Sequence, residues 1–134
     1  MRITADTNFL VRAAVMDDPA QSAIAAEALL KADAVAVTLP SLCEFVWVLI
    51  RGYRRSAAEV AAAVRTLVEG ANVLADRPAV EAGLAVLERG GDFADGAIAF
   101  EGRRAGGRVF ATFDKQAAAL VRATGGEARL LNED

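Results

Sequence analysis

The chain has 134 residues, of which 54% are hydrophobic, with a net charge of −3, one cysteine and no histidine. Without histidine, serine–histidine–acid and cysteine–histidine catalysis, histidine general bases and the usual zinc sites are excluded. The single cysteine cannot form an internal disulfide, and the length and hydrophobicity predict one compact domain over residues 1–134.

Short strand-like runs alternate with helical patterns along the chain. Strands are predicted at residues 2–5, 34–38, 72–75, 108–113 and 128–131. Helices are predicted at residues 8–15, 78–89 and 115–123, and from Ser56 to about Gly70. One further helix should end at about Lys31, and two others should begin at Pro40 and at Asp92. This alternation predicts a three-layer α/β/α fold whose central parallel sheet has four or five strands, with the first strand in its interior.

The most apolar run, residues 39–50 (LPSLCEFVWVLI), contains one carboxylate, Glu44. A buried carboxylate without a partner is costly, so Glu44 should be neutral, paired or bound to a cation. No basic residue lies within one helical turn of it, and Arg51 is about two turns away. The alternative is that Glu44 lies near the start of the helix begun by Pro40 and faces water.

Acidic residues recur near the predicted carboxyl ends of the strands. Asp6 follows the first strand, Glu44 lies in the helix after the second, Asp92 and Asp95 begin the helix before the fourth, and Asp114 follows the fourth. Singly, each is explained as a helix cap or a first-turn acid. Ligands of open α/β sheets bind at this edge, and carboxylates that gather without a cation repel one another. A bound divalent cation with oxygen ligands resolves that conflict.

The stretches ADTNFLVR, LPSLCEFVWVL, GGDFADGAIAF and FATFDKQAA, in this order, resemble the PIN-domain ribonucleases, and among them the VapC-type toxins of bacterial toxin–antitoxin pairs. The resemblance spans Ile3 to Leu131. It implies a PIN-like fold and a Mg²⁺- or Mn²⁺-dependent endoribonuclease. The metal-binding and catalytic acids that it implies are Asp6, Glu44, Asp95 and Asp114, with Asn8, Asp92 and Thr112 in supporting positions around them.

Two basic clusters are candidates for binding an RNA backbone. One contains Arg51, Arg54 and Arg55 with Tyr53 placed to stack on a base, and the other contains Arg103, Arg104 and Arg108. Solvated cations at helix ends are the alternative for each cluster.

The resemblance also implies partners. They are RNA linked to translation, such as transfer or ribosomal RNA, a small antitoxin protein, and a second copy of the chain in a homodimer. Phe9, Leu10 and Trp47 are candidates for the protein interfaces, and the alternative is that they are core residues. The N-terminal segment does not resemble a signal peptide and no apolar run is long enough to cross a bilayer, so we expect a cytoplasmic protein.

Two other functions are compatible with acids at strand ends. A Mg²⁺-dependent phosphotransfer domain usually needs an acid next to Asp6 or two residues after it, whereas Asn8 occupies that second position. A catalytically silent PIN-like module that only binds a partner would not need all four acids.

Overall fold

The computed structural model describes residues 1–132, in which helices alternate with short strands. In chain order the elements are β1 (Arg2–Thr4), α1 (Thr7–Ala14), α2 (Pro19–Lys31), β2 (Ala34–Ala36), α3 (Leu39–Trp47), α4 (Ala57–Val68), β3 (Val73–Leu74), α5 (Arg77–Glu88), α6 (Phe93–Arg104), β4 (Val109–Thr112), α7 (Lys115–Ala123) and β5 (Glu127–Leu130). The chain divides into two compact units, Met1–Asp76 and Arg77–Asp134. Over residues 1–132, none of the helices has the length and apolar character needed to cross a membrane.

The first unit is built on a three-stranded parallel sheet in the order β1-β2-β3. Ile3 of β1 pairs with Val35 of β2, which in turn pairs with Val73 of β3. Val35 is fully buried, as are Leu42 and Phe45 of α3. Burial of these aliphatic and aromatic side chains is the main force that holds the helices on the sheet.

Side chains at the helix starts explain where the helices of the first unit begin. Ser56 and Glu59 form the predicted capping box, because the Ser56 hydroxyl accepts from the Glu59 amide at 3.1 Å and the Glu59 carboxylate accepts from the Ser56 amide at 3.0 Å. Asp18 caps α2 by accepting from the Gln21 amide. Each bond satisfies an amide that has no partner within its own helix.

The second unit contains a two-stranded parallel sheet of β4 and β5, and the helices α5 to α7. α5 and α6 pack closely because a glycine lies at their contact. A Cβ at Gly96 would meet the Ala82 carbonyl oxygen and, at 2.9 Å, the Cγ2 of Val86. Only a residue without a side chain lets the two backbones approach this closely.

The predicted α/β class with parallel strands is confirmed, and a strand is found at each predicted position. The strands are nevertheless distributed over two sheets instead of one sheet of four or five strands. The prediction of β1 as an interior strand is wrong for the described residues, because β1 hydrogen-bonds only to β2 and is an edge strand. Residue pattern locates a strand, whereas pairing depends on a partner backbone that is distant in sequence.

A feature that the sequence pattern did not predict follows α3 directly. Residues Val48–Gly52 form a π-helical turn, and the Tyr53 amide donates to the Val48 carbonyl at 3.2 Å. A turn of this width changes the angular phase of the helix, so the α-helical spacing used to compare Glu44 with Arg51 does not apply across it.

Candidate functional site

Asp6 begins α1 from the end of β1. Its Oδ1 accepts from the Phe9 amide at 2.8 Å, so it is the N-cap of the helix, and its side chain is exposed. Asn8, two residues later, is also exposed. Asp6 is therefore a helix cap, which is the alternative that the sequence left open. A cap of this kind uses only one of the two carboxylate oxygens.

Glu44 lies on α3 with its side chain exposed, although its sequence neighbours are apolar. Of the two alternatives left open by the sequence, the water-facing one is found, because α3 is amphipathic: Leu42, Phe45 and Val46 are buried while Glu44 and Trp47 face outward. The Thr7 hydroxyl donates to Glu44 Oε2 at 3.3 Å.

Thr7 was not predicted as a site residue, although it lies directly after Asp6. Its hydrogen bond to Glu44 connects the start of α1, where Asp6 lies, to α3, where Glu44 lies. In the sequence, Thr7 is only a hydroxyl residue between the polar residues Asp6 and Asn8. Nothing in the sequence connects it with Glu44, which is 37 residues away.

The acids of the second unit cluster at the starts of two helices. Asp92 caps α6 by accepting from the Ala94 amide at 3.0 Å, and Asp114 caps α7 by accepting from the Ala117 amide at 3.0 Å. The Thr112 hydroxyl accepts from the Asp114 amide at 3.0 Å. Thr112 thus fixes the backbone from which the Asp114 side chain projects.

The surroundings of Asp95 raise the pKa of its carboxyl group. Burial raises the pKa of its carboxyl group above the ordinary value of 3.8, and the negative charges of Asp92 and Asp114 raise this pKa further. Desolvation disfavours a charge, and neighbouring like charges disfavour it again. The three acids of the second unit are therefore close enough to interact, and the cluster favours a proton or a cation.

Three of the predicted metal ligands each have an oxygen left for a further partner. In residues 1–132, Asp6 and Asp114 each accept a hydrogen bond on Oδ1, and Glu44 accepts one on Oε2. The second oxygen of each is without a hydrogen-bond donor in that range. Carboxylate oxygens of this kind are the ligands that Mg²⁺ and Mn²⁺ prefer, so the donor set fits a hard divalent cation.

Within each unit by itself, the described residues hold no group of three or more acidic, cysteine or histidine side chains arranged to bind a metal. Asp6 and Glu44 are associated through Thr7 in the first unit, and Asp92, Asp95 and Asp114 interact in the second. The meeting of all four acids in one cleft stays a prediction.

The first arginine cluster begins within the π-helical turn, at Arg51, and continues after it. Arg51, Arg54 and Arg55 are exposed, and Arg55 approaches Glu59 to 4.0 Å. Tyr53 is half-buried, and its hydroxyl donates to Asp17 Oδ2 at 2.7 Å. This tyrosine therefore has a partner within the unit, which the sequence did not reveal.

The second arginine cluster lies at the end of α6. The guanidinium carbons of Arg103 and Arg104 lie 5.7 and 5.0 Å from the centre of the Phe100 ring. Arg103 also donates to the Gly125 carbonyl at 3.4 Å. These contacts with the aromatic face and the backbone stabilise the cluster as part of the fold.

The family model of the PIN domain matches residues 3–123. The chain belongs to the PIN domain family. PIN domains are nuclease-type domains that typically use a divalent metal, usually Mg²⁺, and the family indicates a nucleic-acid substrate. Comparison with curated proteins finds no match to the chain. The PIN match includes every acid of both clusters and crosses the boundary between the two units.

Proposed function

We propose that this PIN domain is a Mg²⁺- or Mn²⁺-dependent endoribonuclease that acts in the cytoplasm as the toxin of a toxin–antitoxin pair. We assign Asp6, Glu44, Asp95 and Asp114 as its metal ligands and catalytic acids. The family match supports the nuclease class, and its extent across residues 3–123 supports treating the two units as one domain.

The observation that carries the proposal is the match of the PIN family model to residues 3–123, which include all four proposed ligands. Burial of Asp95 and the negative charges of Asp92 and Asp114 raise the pKa of the Asp95 carboxyl group, which supports a cation-binding role. A cluster of helix caps alone has no reason to place like charges where they destabilise one another. A cation-binding role supplies that reason, because the cation offsets the repulsion.

Different residues of the chain would have different roles in the proposed reaction. In such a site, Asp6, Glu44, Asp95 and Asp114 would hold the cation, which would lower the pKa of a bound water and neutralise charge on the phosphodiester. Thr7 fixes one oxygen of Glu44, and Thr112 fixes the backbone of Asp114, so both acids are held before substrate arrives. Asn8 and Asp92 are assigned to supporting positions beside Asp6 and Asp95. Preorganised ligands of this kind reduce the reorganisation that catalysis requires.

RNA is the proposed substrate, with the arginine clusters as candidates for its backbone. Arg51, Arg54 and Arg55 are favoured over Arg103 and Arg104, because the latter pair is already in contact with an aromatic ring. A phosphate contact positions the strand without reading its sequence.

An apolar cavity in the first unit supports a protein partner. Its volume is about 490 Å³, and its lining comes mainly from α1, α2 and α4, including Leu10, Leu29 and Leu67. Trp47 is 61% exposed on α3. A small antitoxin or a second copy of the chain would cover this cavity and the exposed Trp47 side chain.

Cleavage of a transfer RNA and of a single-stranded RNA by the purified chain tests the nuclease proposal. We expect cleavage with Mg²⁺ or Mn²⁺ and none with a chelator, and we expect Asp95→Asn to abolish it. A chain that binds a partner protein but cleaves no RNA with either metal would instead be a silent PIN module.

Purification of the chain from its native host tests the toxin proposal separately. We expect a small companion protein that suppresses cleavage when it is added back. Recovery of an active nuclease without any companion would contradict the toxin role while leaving the nuclease proposal intact.

A further inference from the structure

Residues 48–55 depart from regular backbone structure at two points. The π-helical turn at Val48–Gly52 is the first, and Arg54 is the second, with a φ of 55°. Within residues 1–132, Arg54 is the one residue other than glycine whose φ is positive. Such conformations strain a side chain-bearing residue and concentrate at functional sites.

The residue type at position 54 is therefore informative. Glycine adopts this backbone conformation without strain, and Gly52 lies only two residues earlier. An arginine at this position therefore carries backbone strain that glycine would avoid. Turns of the π-helical kind are likewise frequent at functional sites.

A hydrogen-bond network holds this segment to the loop between α1 and α2. The Tyr53 hydroxyl donates to Asp17 Oδ2 at 2.7 Å, and Arg12 Nη1 donates to Asp17 Oδ1 at 3.1 Å. Arg12 Nε donates in turn to Gln21 Oε1 at 2.7 Å. The Tyr53 side chain, next to Arg54 in the chain, is thus held by residues outside the segment.

The cations of this segment are not neutralised within the fold. Across residues 1–132, neither Arg51 nor Arg54 forms an ion pair, while Arg55 pairs with Glu59. The nearby Asp17 already accepts from Tyr53 and Arg12. At the start of α4, the capping box satisfies the amides of Ser56 and Glu59.

We propose that residues 51–55, the arginine loop, form a preorganised phosphate-binding site for single-stranded RNA. Arg54 and Arg51 bind phosphate groups, and Tyr53 is a positioning residue that acts through Asp17. The guanidinium group presents two parallel donors that match a phosphate, which favours arginine over a simpler cation. The inference rests on the proposed function for its substrate class, and it adds to the arginine cluster favoured there the separate roles of Arg51, Arg54 and Tyr53.

The test measures binding and cleavage separately. Fluorescence anisotropy of a labelled single-stranded oligoribonucleotide is recorded in chelator over a series of salt concentrations, for the parent, Arg54→Gly, Tyr53→Phe and Arg89→Ala. Arg89 is exposed at the end of α5, and its removal is the control for the loss of one positive charge. Melting temperatures of all four proteins are measured alongside.

Arg54→Gly should weaken RNA binding about tenfold, as expected for loss of a charged hydrogen bond. The slope of log K against log salt should become shallower by about 0.7, the value for one contact with a single strand. Its melting temperature should equal or exceed that of the parent, because strain is relieved. Tyr53→Phe should weaken binding by a smaller factor with the slope unchanged.

An Arg54→Gly variant with the affinity and salt slope of Arg89→Ala would overturn the inference. RNA binding by Tyr53→Phe that equals that of the parent would overturn the positioning role of Tyr53. Cleavage by the parent with Mn²⁺ separates the two proposals. A parent that binds RNA and cleaves none contradicts only the proposed function, and one that cleaves while Arg54→Gly binds normally contradicts only this inference.

Discussion

Substitutions of Asp6 can separate its role as a helix cap from its proposed role as a metal ligand. Within residues 1–132, its side chain accepts one hydrogen bond, from the Phe9 amide to Oδ1 at 2.8 Å, which caps the eight-residue helix α1. The substitution Asp6→Asn would keep this cap and lose the charge, whereas Asp6→Ala would lose both. Asp18 is the matched control, because it caps α2 through the Gln21 amide at 3.1 Å and has no proposed part in the chemistry.

The magnitudes follow from these two bonds. Asparagine caps a helix about as well as aspartate, so Asp6→Asn should leave the free energy of unfolding level or slightly raised in chelator. Asp6→Ala should lose about 1 kcal/mol. For a chain of this length, that loss lowers the melting temperature by about 3–5 °C. Asp18→Asn and Asp18→Ala should reproduce the same two stability results.

Activity should divide the variants in a different way. Loss of a group that only supports a metal ligand already costs about 10–100-fold, so either change at Asp6 should reduce cleavage by more than about 100-fold. Both Asp18 variants should cleave as the parent does. Added Mg²⁺ or Mn²⁺ should raise the melting temperature of the parent and of the Asp18 variants through binding to the folded state.

Thermal melts in chelator and in metal, with one RNA cleavage assay, measure all of these quantities. The reasoning about Asp6 is refuted if Asp6→Asn cleaves at the parental rate and responds to metal as the parent does. Asp6 would then be a helix cap alone. A full loss of stability in Asp6→Asn would show instead that the charge, and not the cap, holds α1.

Two further predictions concern stability. Gly96→Ala should destabilise the fold by about 1–3 kcal/mol, because the new Cβ would clash with the Ala82 backbone. Gly102 lies in the same helix, but a Cβ there would meet nothing within 4 Å, so Gly102→Ala should stabilise the fold by about 0.5–1 kcal/mol. Chemical denaturation measures the free energy of unfolding of both variants. The bond between Tyr53 and Asp17 lowers the pKa of Asp17 below 3.8 and raises that of Tyr53 above 10.0. The stability advantage of the parent over Tyr53→Phe should therefore be fullest between these two values, and should shrink as pH falls through the lowered pKa of Asp17 or rises through the raised pKa of Tyr53. A difference that stays constant from acid to alkali in urea unfolding would contradict the linkage.

The sequence by itself determined the order and approximate limits of the helices and strands. Ser56 and Glu59 were recognisable as a capping box because the interaction joins residues three apart. Asp92 and Asp114 were recognisable as helix starts for the same reason. The order of the acidic stretches indicated the PIN family, which the family match then established.

The tertiary structure decided what depends on residues far apart in the chain. It placed Glu44 on the outer side of α3, paired Thr7 with it across 37 positions, and joined Tyr53 to Asp17 across 36. It also decided which strand edges pair, leaving β1 at the edge of its sheet. Caps and helix periods arise from neighbours along the backbone, so the sequence contains them directly. Strand pairing and side-chain contacts between elements depend on how separate segments pack, and that packing minimises the free energy of a whole unit rather than of any one segment.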